Sequence, residues 1–138
     1  MEENQFSRTE MLIGKDGLQK LHQSKVVIFG IGGVGSFVAE GLIRAGIGNF
    51  VLIDKDKISL TNLNRQIHAS HNTIGKYKVD VMKNRMLDIN PEAKIEVIKQ
   101  YCLPNNVEEL VDSSYSYIID AIDNVTAKVS LVEIARKI

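Results

Sequence analysis

Two stretches of this sequence carry residue types suited to phosphate chemistry. The first, VVIFGIGGVGSFVAEGLIRAGIGNFVLIDKD (Val26 to Asp56), sets Gly30, Gly32 and Gly35 in the spacing G-x-G-x-x-G, with Gly33 inside it. Between a strand and a helix, such glycines allow a tight turn, close approach of the backbone to phosphate, and tight helix–strand packing. The N–H groups at the start of the following helix then offer partial positive charge to an anion. Asp54 lies 24 positions after Gly30, where a carboxylate meets a ribose in such sites. A nucleotide is expected. The loop by itself leaves NAD and a nucleoside triphosphate both open.

The second stretch, LTNLNRQIHASHNTIGKYKVD (Leu60 to Asp80), separates them. A hydride-transfer site has little use for Asn62, Asn64, Arg65, Gln66 and Lys78 together, whereas a triphosphate does. Arginine offers a fixed fork to phosphate oxygens and lysine a mobile point charge. Further on, in YIIDAIDN, Asp120 and Asp123 follow an apolar run and fall at the carboxyl edge of a sheet, where ligands of open α/β sheets bind. A carboxylate there suits Mg2+, which binds through one or two carboxylates and the substrate's phosphates. The set fits in-line attack on an α-phosphate.

These residues need a scaffold, and the hydrophobic pattern predicts one. Lys25–Phe29, Phe50–Ile53, Lys94–Ile98 and Tyr117–Ile119 read as strands, and Val34–Ala45, Lys76–Ile89, Asn106–Val111 and Val125–Ile138 as helices. Phe6–Gln23 has a weaker helical period, with Met11, Leu12, Leu18 and Leu21 on its apolar side and Gly14 and Gly17 as breaks. Alternating strands and helices imply a Rossmann-like, doubly wound, mainly parallel sheet with an N-terminal helical segment. The polar connection Asp54–Asn72 is long for such a unit and therefore expected to be functional. Four strands make half of the expected sheet, so residues 1–138 are read as the N-terminal part of a longer domain.

Composition bounds the rest. At 138 residues, 44% hydrophobic and 25% charged, the chain is ordinary for one globular domain. The formal net charge is zero, which gives no support for a dedicated nucleic-acid binder. One cysteine fits a reducing compartment, and neither a membrane-spanning run nor a signal peptide is visible, so a cytoplasmic location is expected. Cys102 reads as a small packed thiol rather than a nucleophile. His68 and His71 are too few for a zinc site and read as polar loop contacts. His22 is expected at the surface. Asp56 is left between a solvated residue and a helper near ribose or magnesium, and Asp120 between a second magnesium contact and a buried residue that fixes the loop.

Taken together, GIGGVG, LIDKDKISLTNLNRQ, GKYKVD and DAIDN resemble, in order and spacing, the adenylating domain of the ThiF/MoeB/HesA superfamily, relatives of the ubiquitin-activating enzymes. The likeness runs from Phe6 to beyond Asn124 and implies adenylation of a carboxylate by ATP with release of pyrophosphate. By position it implies Asp54 on the ribose, Asn62, Arg65 and Lys78 on the phosphates, Gln66 in the same run, and Asp123 on magnesium. Arg8, in FSRTEMLIG, matches an arginine that family members insert into the partner subunit's ATP site, which implies a homodimer. FSRTEMLIGKDGLQKL, GIGGVGSFVAEGLIRAGIG and LTNLNRQIHA are most similar to the tRNA threonylcarbamoyladenosine dehydratase branch. That branch implies tRNA carrying threonylcarbamoyladenosine as substrate, with cyclising dehydration and no protein thioester. Two alternatives stay open: an activating enzyme for a sulfur-carrier protein ending in Gly-Gly, with a sulfur-transfer partner, and a non-catalytic nucleotide-binding or oligomerisation module.

Overall fold

The computed structural model describes residues 3–138. Strands β1 (Lys25–Phe29) and β2 (Asn49–Ile53) are β-branched and aromatic runs, and Val27, Ile28, Phe29, Val51 and Leu52 have no solvent exposure. Burial on both faces is what a parallel sheet with covering helices requires. With β3 (Lys94–Ile98) and β4 (Tyr117–Asp120) they form one parallel sheet in the order β3-β2-β1-β4. The alternating directions of successive side chains feed two cores. Val26 and Ile28 join helices α2 (Gly33–Ala45) and α3 (Lys78–Ile89), while Val27 and Phe29 join α4 (Val107–Leu110) and α5 (Val125–Lys137).

The strand order creates the site. From β1 the chain winds outward through β2 to β3, then crosses back to lay β4 on the other side of β1. Such a reversal opens a crevice at the carboxyl ends of the two diverging strands. Phe29 pairs with both Ile53 and Asp120, so Gly30, Asp54 and Ala121 leave the sheet at one level. Backbone bonds fix that level: Gly30 N–H donates to Ile53 O at 2.9 Å and Ala121 N–H to Phe29 O at 2.9 Å.

Element boundaries follow local chemistry. Helix α2 stops at Gly46, which takes the left-handed conformation (φ 112°) that suits a residue without Cβ. Glu40 of α2 accepts from Arg85 of α3 at 2.7 Å and from Arg44 at 2.9 Å, tying the two helices together. The guanidinium of Arg85 is the main cause that holds the Glu40 carboxyl below its ordinary pKa.

The N-terminal segment departs from the sequence reading. Helix α1 (Ser7–Gln23) kinks at Gly14, where φ is 76°, but Gly17 continues the helix. Before the kink, Met11 and Leu12 are 85% and 87% exposed, and after it Leu18 is buried. The expected apolar face is therefore used only in its second half. His22 is half-buried, its Nδ1 paired with the Gly46 carbonyl at 2.7 Å, and is not the free surface residue expected. Helix α3 begins at Lys78 rather than Lys76, because Tyr77 is taken by a bridge to Lys57. Among the described residues no helix is long and apolar enough to cross a membrane.

Candidate active site

At the carboxyl edge lies a cavity of about 810 Å³. Its floor is the glycine loop, one wall carries Asp54, Asp56, Asn62, Arg65, Gln66 and Lys78, and the far side carries Ala121–Asn124. Residues 100–103, which follow β3, close the remaining side.

The glycines are required by contact as well as by conformation. Gly30 has φ 92°, and a Cβ there would sit 2.5 Å from Ala121 O. At Gly35 a Cβ would overlap the Gly30 carbonyl oxygen. With the helix start pressed onto the loop, the N–H groups of Gly32, Gly33 and Val34 meet no acceptor among the described residues. Three unpaired donors at a helix start form an anion cradle.

Asp54, nearly buried, is engaged from two sides. Its Oδ2 accepts from Ile31 N–H at 2.8 Å and its Oδ1 from Asp56 N–H at 2.8 Å. An ionised carboxylate has about four lone-pair sites, so capacity remains for a ribose hydroxyl. Asp56 also lines the cavity, and its carboxylate accepts from the Tyr101 hydroxyl, which raises the phenol's pKa. Sequence reasoning missed Tyr101. Its position just past the carboxyl end of β3 is the signal that could have marked it.

The polar connection is a compact structure rather than a loose loop. Leu60–Asn64 form a 3-10 turn, and Ser59 and Asn62 cap it reciprocally, with Asn62 Oδ1 accepting from Ser59 N–H at 2.9 Å. That bond occupies the oxygen and leaves the Asn62 amide N–H groups for the cavity that the residue lines. Arg65 is exposed; its stem crosses Gly33 and its Nη1 donates to Asn64 Oδ1 at 2.9 Å. The Lys78 side chain is only 8% exposed, with Nζ 3.9 Å from Asp56 Oδ2, beyond hydrogen-bond distance. A buried ammonium needs an anionic partner, and this one lines the cavity. Gln66 is buried beside Gly32, and its Oε1 has no partner among the described residues.

Opposite, Asp123 is exposed at the cavity wall. Asp120 is committed elsewhere: its Oδ1 accepts from Lys128 Nζ at 2.9 Å and from Ile122 N–H at 3.1 Å. Of the two roles left open for Asp120, this geometry matches loop fixing, but the residue is exposed rather than buried as expected, because its carboxylate meets the Lys128 ammonium at the surface. Cys102 lies against the cavity within the second core, and burial raises its thiol pKa, as for a packed thiol. His68 is buried and His71 exposed. Arg8 is exposed on α1 and does not line this chain's cavity. Gly30, Gly32, Gly33, Asp54, Asn62, Arg65, Gln66, Lys78 and Asp123 line it, whereas Gly35 packs beneath the loop and Asn64 and Asp120, also expected near the ligand, do not line it.

The ThiF family pattern matches residues 6–137. The chain belongs to the ThiF family. It is 46% identical over 130 residues to a tRNA threonylcarbamoyladenosine dehydratase of Bacillus subtilis, covering 94% of this chain and 51% of that protein. It superposes with a TM-score of 0.94 on the E. coli tRNA N6-threonylcarbamoyladenosine dehydratase TcdA crystallised with ATP, at 43% identity, covering 96% of this chain and 55% of that one. It is also 34% identical to a molybdopterin-synthase adenylyltransferase of Haemophilus influenzae, covering 90% of this chain and 51% of that protein. The chain thus spans about half the length of the curated relatives it matches. The glycine loop, the polar connection and the DAIDN segment all fall within the residues matched to the family.

Proposed function

We propose that the protein uses ATP to adenylate the threonyl carboxylate of threonylcarbamoyladenosine in tRNA, leading to ring closure with loss of water. One observation carries the nucleotide half of this reading. Unpaired N–H groups of the glycine loop, the Lys78 ammonium and the Arg65 guanidinium share one cavity with Asp54. The dehydratase relatives, matched along nearly this whole chain, support the tRNA half.

The cavity's chemistry fits a nucleoside triphosphate. Asp54 accepts from the ribose, the Gly32–Val34 amides and the Asn62 amide donate to phosphate oxygens, and Arg65 and Lys78 offset their charge. Gln66 completes the wall beside Gly32. As the substrate carboxylate attacks the α-phosphate, charge builds on the phosphate oxygens, and fixed donors stabilise it without having to reorganise. Asp123 is the carboxylate that would hold Mg2+ with the phosphates, and magnesium supplies further charge neutralisation when bound. Arg8, exposed and outside its own cavity, is assigned to the site of a partner subunit in a homodimer. A tRNA substrate would fit the cytoplasmic location expected from the sequence. Residues 1–138 are taken as the ATP-binding part of the adenylation domain.

The molybdopterin-synthase adenylyltransferase relative favours a second reading, activation of a sulfur-carrier protein followed by sulfur transfer to a partner. Titration calorimetry with ATP–Mg2+ and with NAD tests the nucleotide assignment. ATP is expected to bind in preference, and tight NAD binding without ATP binding overturns the reading. Mixing Arg8→Ala and Asp123→Ala protomers tests assembly: recovered activity is expected, because one site of the mixed dimer lacks neither group. No recovery after demonstrated subunit exchange removes Arg8 from the partner's site.

A further inference from the structure

His68 has no part in the chemistry above, yet it is 3% exposed and makes one directed contact. Its Nε2 is 2.8 Å from the carbonyl oxygen of Ile31, in the middle of the glycine loop and 37 residues away in sequence. A carbonyl can only accept, so Nε2 carries the proton and donates. The other ring nitrogen, Nδ1, is buried with no partner among the described residues. Ile31 is thereby gripped on both sides, because its N–H donates to Asp54 Oδ2 at 2.8 Å. The loop residue before the phosphate cradle is held by Asp54 through its amide and by His68 through its carbonyl.

That second grip has a geometric consequence. The Ile31 carbonyl and the Gly32 N–H belong to one planar trans peptide, in which C=O and N–H point in opposite directions. Fixing the oxygen toward His68 fixes the Gly32 N–H away from it. Gly32 lines the cavity, and its N–H has no acceptor among the described residues.

We propose that His68 is a positioning residue of the nucleotide site: its Nε2–H locks the Ile31–Gly32 peptide and so aims the Gly32 N–H at the bound phosphate. The inference rests on the nucleotide reading above and adds a residue to it. Burial, the largest influence, lowers the His68 pKa, and the charge of Lys78 acts in the same direction against the Ile31 bond and Asp54. The ring is accordingly kept neutral, with the single donor the loop carbonyl needs. For a residue serving only to fill the core, an apolar side chain would avoid the unpaired Nδ1.

The test compares three proteins by ATP–Mg2+ calorimetry and by the NMR signals of the Gly32 amide and the His68 ring. Glutamine can place an amide N–H near the position of Nε2, whereas asparagine reaches only as far as Nδ1. His68→Gln is expected to keep wild-type affinity, and His68→Asn to lose roughly tenfold, the effect of one misdirected hydrogen bond to a charged group. In the wild type the ring should be the neutral Nε2–H tautomer, and ATP should shift the Gly32 amide strongly downfield. That shift should persist in His68→Gln and shrink in His68→Asn, which a merely structural loss would not single out. Equal affinity and equal Gly32 shifts in a folded His68→Asn overturn the proposal. If His68→Asn does not fold, the wild-type signals decide: an Nδ1–H tautomer or a Gly32 amide unmoved by ATP overturns it, and the reverse supports it. A wild-type protein that binds no ATP overturns the nucleotide reading itself and this inference with it, and is recognised before any variant is compared.

Discussion

Adding one methyl at two positions of the same helix should have opposite effects. Gly35 and Gly41 both lie in α2. A Cβ at Gly35 would overlap the Gly30 carbonyl oxygen and touch Ala121 Cβ at 3.4 Å, whereas at Gly41 it would meet nothing within 4 Å. To reach an ordinary non-bonded separation, the start of α2 must retreat from the loop by on the order of 1–2 Å. Overpacking of this kind costs about 1–3 kcal/mol, and backbone rather than a flexible side chain must yield, so the upper half of that range is expected. A misplacement near 1 Å can cost on the order of 10²-fold in function. Gly35→Ala should therefore lose about 2–3 kcal/mol of stability and weaken ATP binding at least tenfold. Gly41→Ala, exposed and helical, should gain about 0.5–1 kcal/mol by restricting the unfolded chain and leave ATP binding unchanged. Urea denaturation and ATP calorimetry on both variants read these effects. Wild-type stability and affinity in Gly35→Ala would falsify the claim that helix and loop are in enforced contact.

The phosphate clamp gives a second prediction: Lys78→Met should stay folded by circular dichroism while pyrophosphate release falls on the order of 10²–10³-fold. Full activity would remove Lys78 from the site. Glu40 gives a pH signature. Its carboxyl is held below the ordinary value chiefly by Arg85, so its stabilisation is present above the unfolded pKa and disappears as pH falls through the folded one. Because Arg85 and Arg44 are 41% and 58% exposed, Glu40→Gln should cost only about 1–2 kcal/mol at pH 7, and its stability should depend less on pH between about 3 and 5. A cost that is the same at pH 3 and pH 7 would contradict that origin. Cys102→Ser should retain adenylation, measured by AMP formation, and its loss would demand a covalent role for the thiol.

The sequence reading succeeded where local pattern and global fold agree. Strands β1 and β2 are apolar runs bounded by glycine, and their burial on both faces is what a parallel sheet under covering helices requires. The glycine loop was legible because its spacing reports backbone contact, which Gly30 and Gly35 confirm against Ala121 and one another. Arg65, Lys78 and Asp123 were expected near that loop for their charge, and the structure brings all three to one cavity. Helix α1 misled because periodicity assumes one continuous axis: the positive φ of Gly14 separates Met11 and Leu12 from the buried Leu18. The bonds of His68 to Ile31, Tyr101 to Asp56 and Lys128 to Asp120 left little trace in the sequence. The first two join residues 37 and 45 positions apart, and no local period encodes such pairs. Lys128 is eight positions from Asp120, but the turn between them decides whether they meet.

The most direct measurement of the central claim gives the protein ATP and Mg2+ with one of three acceptors. These are tRNA carrying threonylcarbamoyladenosine, the same tRNA unmodified, and a carrier protein ending in Gly-Gly. Holding the attacking group and the acyl-adenylate in one nucleoside offers effective molarities on the order of 10⁵ M or more when well oriented, so no protein thiol is needed. AMP is predicted to appear with the modified tRNA alone, together with loss of one water from its nucleoside by mass spectrometry. AMP with the carrier protein alone, and an unchanged nucleoside mass, would contradict the account.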